Sequence, residues 1–472
     1  MSVHNSAKRA SIGYTIGNVL IRGLSFLTLP LFTRLMSIED YGLYTTYIAY
    51  ESILSIVLSL ALHASLKNAK IEFACSLDEY VSTIQSVPIL LTIAIIICTI
   101  PFIDAIGAFL GFSGLIAILM IVQALATGMI TMYNCRIGLD FAYKSYVGIS
   151  MILSVSNIVL SLIFILTICS GEAFLGRVYG TCLPMIAVSV YILYVFYKKA
   201  RPRIHKGYIR FGLLYSLPLI PHGLSQIILA QFGKIIIQNQ IGNSAAGIYG
   251  FAYTVALIPQ ILMQSLDMAW GPWFYNAYSE GKINEIKSRT NQYVSIFAII
   301  TIILFVLSPE MVKIMADETY WDSINIVGPA VLGVFFTFLN GIPAQIEYYH
   351  KKTSYIAIGT VIAALLNISL CIYFIPIYGY EAAVYITIIT YVIYFAAHLI
   401  IANVITNWKP PFDMKKILEY VVVVCILCLI GFMVIELFIA RMAILLIGFI
   451  YFYKENKAFV DNTVLNRIRV WK

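Results

Sequence analysis

An all-α integral membrane bundle of about fourteen transmembrane helices is the architecture this sequence predicts, from its composition, the length of its apolar runs and the sidedness of its charge. Hydrophobic residues make up 61% of the 472 and charged residues 11%, against about 25% charged in a soluble domain, and mean hydropathy is +0.88. Apolar runs of roughly 18 to 28 residues let a helix cross a hydrocarbon core of about 30 Å. In lipid every backbone N–H and C=O needs an internal partner, which leaves helices or closed barrels. Barrel strands are about ten residues long and alternate apolar with polar, whereas runs such as Ile95-Ile96-Ile97 do not. The barrel is therefore set aside.

Reading apolar runs between polar breaks places six spans near 10–34, 41–66, 81–103, 112–134, 146–169 and 176–197. The basic stretch 198–210 follows as a connector, and six more spans fall near 211–238, 247–277, 292–312, 324–348, 354–376 and 381–405. The apolar stretch 417–453 is too long for one crossing and divides near Glu436 to Arg441 into a C-terminal helix pair. The expected domains are a six-helix lobe at 1–197, the connector at 198–210, a second lobe at 211–405, and the pair with its tail at 406–472. The first apolar run is longer than a signal peptide core and lacks its small-residue cleavage site, so an uncleaved first span is expected.

Lys and Arg in short loops stay cytoplasmic during insertion, and this test supports the arrangement. With the N-terminus inside, only Arg34, Arg177, Lys313 and Arg441 fall outside and only Arg22 and Lys234 within spans, leaving the other 25 of 31 on the inner side. Both termini are then cytoplasmic. The net charge of +8 expresses topology, and no nucleic-acid partner is expected. The connector is read the same way, with contact to anionic lipid or a cytoplasmic partner as the alternative. Eight scattered cysteines imply no disulfide framework, and Cys425-x-x-Cys428, alone inside an apolar helix, is read as packing.

The two lobes repeat one another. Asp40-Tyr-Gly42-Leu-Tyr44 matches Ala246-Gly247-Ile-Tyr249 at an offset of 205, and Ser145-Tyr146 matches Ser354-Tyr355 at 209. Asn157-Ile158 matches Asn367-Ile368, and Gly171-Glu172-Ala173 matches Gly379-Tyr-Glu381-Ala382-Ala383. An even number of spans per unit makes the repeats parallel, and two such bundles with a cleft between them have the geometry of an alternating-access transporter.

A charge at a helix centre costs about 2.5 to 3.5 kcal/mol on insertion scales, so it faces water or a partner. Arg22, with Asn18 and Ser25 one turn away on its face, is the leading candidate for substrate binding, because guanidinium grips phosphate with two prongs and stays charged when buried. An ion pair with Glu51 is the plainer alternative. Lys234 is the second cation; Pro218 and Pro221 kink its span, and snorkelling outward is its alternative. Glu51 and Asp267, near the centres of spans two and eight, are candidates for binding a coupling ion, H+ or Na+, or else counter-ions to those cations. Glu347 is expected near the inner interface, and His63, His222 and His398 are expected to pack through hydrogen bonds. Nucleotide-binding loops, zinc-ligand clusters and catalytic constellations are not found, so no enzyme, metal or other cofactor is expected.

The stretch Leu29-Pro-Leu-Phe-Thr-Arg-Leu-Met-Ser-Ile-Glu-Asp-Tyr-Gly42, the motif Ala269-Trp-Gly-Pro-Trp273, and Leu366-Asn-Ile-Ser-Leu with Ile375-Pro-Ile-Tyr-Gly379-Tyr-Glu-Ala-Ala383 resemble signatures of the polysaccharide flippases. These are the Wzx-type, PST family of the MOP superfamily, which also holds MATE drug exporters and lipid II flippases. The resemblance covers nearly the whole chain. It implies two parallel six-helix lobes in a MATE-like V, a bacterial cytoplasmic (inner) membrane location, and an undecaprenyl-diphosphate-linked glycan as substrate. That substrate would be flipped to the outer leaflet for O antigen, capsule or another exopolysaccharide, with a polymerase and a chain-length regulator as possible partners. The family's cationic cavity maps onto Arg22 and Lys234, and its coupling carboxylates onto Glu51 and Asp267. Two cleft cations are fewer than expected of a lipid II flippase, and a drug exporter favours acidic cleft groups; both are the rival readings.

Overall fold

The computed structural model describes residues 26–457 and, before them, positions 13, 17, 20, 21, 23 and 24. All regular structure among the described residues is helical. In chain order the α-helices are α1 (Leu29–Leu35), α2 (Ile38–Ser59), α3 (Leu66–Glu72), α4 (Leu77–Thr99), α5 (Ile103–Leu110), α6 (Gly114–Gly138), α7 (Tyr143–Ile163), α8 (Ala173–Lys199), α9 (Lys206–Ser216) and α10 (Ile220–Gln240). They continue with α11 (Asn243–Ala256), α12 (Ile258–Ser279), α13 (Ile283–Val306), α14 (Ser308–Met315), α15 (Ile324–Tyr349), α16 (Thr353–Tyr378), α17 (Glu381–Ile405), α18 (Met414–Met433) and α19 (Phe438–Glu455).

Local chemistry sets where these helices start and stop. The Ser37 hydroxyl accepts from the Asp40 backbone N–H at 3.0 Å, and Glu39 and Asp40 suit the positive end of α2. That helix ends at Leu60 and Ala61, both in the left-handed region at φ 52° and 49°, and the chain turns by 49° into residues Leu62–Glu72. Each such non-glycine residue costs roughly 1–2 kcal/mol. The expected span at 247–277 is interrupted at Leu257, because Pro259 has no N–H to continue the ladder from α11. The C-terminal pair divides at residues 434–437, overlapping the expected break at Glu436 to Arg441 only at its start, with Arg441 inside α19.

Ten helices among the described residues are long and apolar enough to cross a membrane, or eleven if the bent pair Ile38–Ser59 and Leu62–Glu72 is one span. Fourteen therefore stays an expectation. The first expected span lies partly outside the described residues. The eighth is broken, and its second half α12 carries Gln, Asp and Asn; α19 holds Arg441, Lys454 and Glu455 in 18 residues.

The chain forms two compact units. One runs through Gly250 and takes in Thr360–Gly379; the other comprises Phe251–Gly359 and the chain from Tyr380 onward. In the first, α2 packs against α6 and α10, and α7 against α8. Tyr47, fully buried at the centre, meets the edges of Phe112 and Phe174 at 6.1 and 6.4 Å and donates to Gln123 Oε1 at 3.0 Å. In the second unit α15 packs along α17, and α13 carries α18 and α19. Arg441 of α19 grips Glu310 of α14 with two prongs, at 2.7 and 2.6 Å, which pins the terminal pair to this unit.

A close helix contact in the first unit joins the two sequence repeats. A methyl group added at Gly42 of α2 would lie 1.9 Å from the Asn243 carbonyl oxygen, and one at Gly247 of α11 would lie 2.2 Å from that of Ile38. One at Gly250 would lie 2.6 Å from the Thr45 hydroxyl. Residues 38 and 243, 42 and 247, and 45 and 250 are all separated by the repeat offset of 205, so the repeats meet through equivalent positions, as partners do across a two-fold axis. Ser244 also donates to Glu39 at 2.6 Å, again a pair 205 apart.

Gly42→Val is expected to force α2 and α11 apart at a cost of about 1–3 kcal/mol or more, lowering the thermal unfolding midpoint in detergent. Gly148→Ala, where an added methyl meets nothing within 4 Å among the described residues, should leave the midpoint within error of wild type; equal midpoints for both variants would refute the crossing.

Candidate functional site

Of the residues expected to bind substrate, Arg22, Asn18 and Ser25 lie outside the described residues. Lys234 sits on α10 with only 7% of its surface exposed, and its ammonium donates to Gln231 Oε1 at 2.8 Å. The side chain is sunk in protein, which argues against the snorkelling alternative. Glu51, on α2 and 5% exposed, accepts a hydrogen bond from Thr127 of α6 at 2.5 Å. A carboxyl group enclosed this way, held by a neutral hydroxyl, can take up a cation or a proton at modest local cost.

In the second unit Asp267 of α12 is half-buried and accepts from the Tyr293 hydroxyl of α13 at 2.7 Å. The Tyr293 ring stacks on Trp270 at 4.8 Å and meets Phe338 edge-on at 4.9 Å. The aromatic wall thus holds the phenol in place, and Trp270 belongs to the Ala269–Trp273 motif. Lys234 and Glu51 belong to the first unit and Asp267 to the second.

Two charged groups take positions that sequence reasoning missed. Glu347 of α15, expected at the inner interface, is completely buried and hydrogen-bonded to Nδ1 of His398 on α17, itself 2% exposed. This corrects the interfacial reading: α15 packs along α17 for most of its length, and the imidazole replaces the water that an interfacial carboxylate would need. His398 does pack through a hydrogen bond, as expected, with the Tyr394 ring at 4.3 Å.

The second is Arg177, counted only as an outer-side charge at the start of the expected span at 176–197; it lies on α8, four residues after its start at Ala173. Its Nη1 donates to Asn157 Oδ1 at 2.6 Å and to Ser161 Oγ at 2.8 Å, both on α7. The guanidinium lies 3.7 Å from the centre of the Phe32 ring on α1 and 4.9 Å from that of Tyr44 on α2, whose hydroxyl is 3.2 Å from Thr181 Oγ1. Glycines allow this approach. Methyls at Gly176 and Gly180 would fall 2.8 Å from Ile165 and 2.3 Å from Ser161, so the small-x-x-x-small pair lets α8 close on α7. That spacing, bracketing an arginine, is the signal in the sequence from which the site could have been found.

At the charged ends of α4, α6 and α8 a cavity of 510 Å³ is lined by groups that neutralise one another. Arg136 bonds Asp78 at 2.8 Å and also pairs with Asp140. Burial would raise the Asp140 carboxyl, but the hydrogen bond and charge of Arg136, with Lys70 beside them, hold it below the usual carboxylate range. These pairs leave no charge of either sign in excess.

The same helical fold recurs in solved transporters. The chain is similar to the lipid II flippase MurJ in its inward closed conformation, at 15% identity, covering 94% of this chain and 99% of that one with a TM-score of 0.71. It is also similar to an inward-facing multidrug resistance MATE family transporter of the MOP superfamily, at 16% identity, 84% and 99% coverage and a TM-score of 0.64. Residues 8–278, more than half of the chain, match the polysaccharide biosynthesis protein family, and the chain belongs to it. Among curated proteins, Lsg locus putative protein 1 of Haemophilus influenzae is 23% identical over 282 residues, 58% of this chain and 67% of that protein.

Removing one member of a buried hydrogen-bonded pair leaves the other uncompensated, at about 3–5 kcal/mol. His398→Leu and Glu347→Gln should each lower the unfolding midpoint, and the double variant should lose less than the two losses added together. Strict additivity would mean that the two side chains do not interact.

Proposed function

We propose that this protein is a flippase that moves undecaprenyl-diphosphate-linked oligosaccharide repeat units from the cytoplasmic to the outer leaflet of a bacterial inner membrane by alternating access. Membership of the polysaccharide biosynthesis family over more than half of the chain is the observation that carries this reading. The fold shared with the lipid II flippase MurJ supports it. O antigen, capsule or another exopolysaccharide is the product, and a polymerase and a chain-length regulator would act after it. Both termini lie in the cytoplasm on the evidence of the positive charge.

In this mechanism the six-span repeats at 1–197 and 211–405 are the moving bodies. Arg22, with Asn18 and Ser25 beside it, and Lys234 hold the diphosphate while the lipid tail remains in the bilayer. A ligand shifts a two-state equilibrium only by its differential affinity for the two states. Release outside therefore needs a second bias, supplied by H+ or Na+ at Glu51 and Asp267, whose neutralisation would favour one state. The enclosure of Glu51 and the tyrosine held on Asp267 suit groups whose charge changes once per cycle.

A strain lacking the gene should lose its surface glycan and keep wild-type drug susceptibility, measured by glycan gel and a susceptibility panel; drug hypersensitivity with intact glycan would favour an exporter. Lys234→Ala, at equal protein level, should lower glycan export about tenfold, the effect of losing ~1.4 kcal/mol of headgroup binding. Undiminished export would remove Lys234 from the clamp.

A further inference from the structure

Several cations of this protein are held by carboxylates. Arg136, Lys416 and Arg441 each lie against one or more carboxylates. Arg177 does not: its polar partners are the neutral Asn157 and Ser161, and no carboxylate among the described residues is within ion-pair distance. The residues before the described stretch cannot supply one, because the first acidic residue of the chain is Glu39.

Only one edge of the guanidinium is used. Asn157 and Ser161 both take Nη1, while Phe32 and Tyr44 fix the plane of the group. The N–H groups on Nε and Nη2 have no acceptor among the described residues, and the residue is only half-buried. That free edge is the two-pronged face with which arginine takes two oxygens of a phosphate. The fold itself does not need the charge. Asn157 has its repeat equivalent in Asn367, but repeat offsets of 208 to 210 set Arg177 opposite Tyr385, Ile386 or Thr387.

Depth points to the ligand. At 1.5 Å per residue Arg177 lies about 6 Å inside the start of α8, the end that charge sidedness assigns to the outer face. On that assignment Arg177 lies near the outer end of its span, on the side where flipped substrate would arrive. We propose that Arg177, positioned by Asn157 and Ser161 and stacked on Phe32, is an exit-side binding site for the phosphate of a lipid headgroup, namely the diphosphate of the lipid-linked glycan. The naming of that lipid rests on the flippase reading above; the phosphate chemistry does not.

The test uses the full chain in phosphate-free detergent, with binding followed by microscale thermophoresis for undecaprenyl diphosphate, undecaprenol, phosphatidylglycerol and inorganic pyrophosphate. Arg177→Gln should weaken undecaprenyl diphosphate binding at least about tenfold and Arg177→Lys by less, since an ammonium keeps the charge without the fork. Undecaprenol binding and the ligand-free unfolding midpoint of Arg177→Lys should match wild type. Unchanged diphosphate affinity in Arg177→Gln, or equal loss for diphosphate and undecaprenol, would overturn the site. Equal affinity for phosphatidylglycerol, lost equally in the variant, would make it a bulk-lipid contact and overturn the substrate assignment. Preference for inorganic pyrophosphate over the lipid would overturn the lipid assignment as well. Surface glycan that persists in the gene's absence would sink the flippase reading while leaving a measured Arg177-dependent affinity intact.

Discussion

The cost of holding a charge among apolar side chains is the constraint from which the rest of this structure follows. With 61% hydrophobic residues, the chain has little water to offer a buried ion, and several of its enclosed charges are answered by a neighbour of opposite or complementary kind. Arg441 closes on Glu310 and so fastens the terminal helix pair to the second unit. Glu347 finds His398, and Arg136 shares two aspartates where the helices end. Against that background, a guanidinium held by an amide, a hydroxyl and two rings, and a carboxylate held by one threonine, are groups with electrostatic capacity to spare. Transport of an anionic headgroup coupled to a cation needs capacity of both signs.

The repeat supplies the second element. Two duplicated halves that meet through their own equivalent positions form an isologous contact, and the carbonyl-to-glycine approaches around Gly42 and Gly247 are too close for any side chain. Contacts of this type are tight when made and leave little behind when broken, because no interlocked side chains have to be withdrawn.

Much of this was legible in the sequence, for physical reasons that also explain the remainder. Helical spans could be read because lipid leaves so few ways to satisfy a backbone, and the length of the terminal stretch showed that it divides, although the break falls a few residues before most of the expected Glu436 to Arg441. The Gly42 and Gly247 repeat pair was visible as a pattern, although its role as a contact was not. Glu347 was misread because one sequence cannot reveal that α17 covers that face of α15. Arg177 was read only as an outer-side charge at the start of its span; the packing of Gly176 and Gly180 that draws it against the neighbouring helix was not visible. Pairings between distant helices are tertiary information, and charge counting assigns a side of the membrane without assigning a partner.

The central claim is movement of a lipid-linked headgroup between leaflets, and leaflet-resolved translocation measures it directly. Purified protein would be placed in proteoliposomes carrying undecaprenyl-diphosphate-linked oligosaccharide with a fluorophore on the sugar, and a membrane-impermeant quencher added outside. The account predicts that wild-type protein exposes the inner-leaflet pool to the quencher, while protein-free vesicles keep it protected. An inner pool that stays protected in both, with the protein folded and intact vesicles demonstrated, would contradict the account.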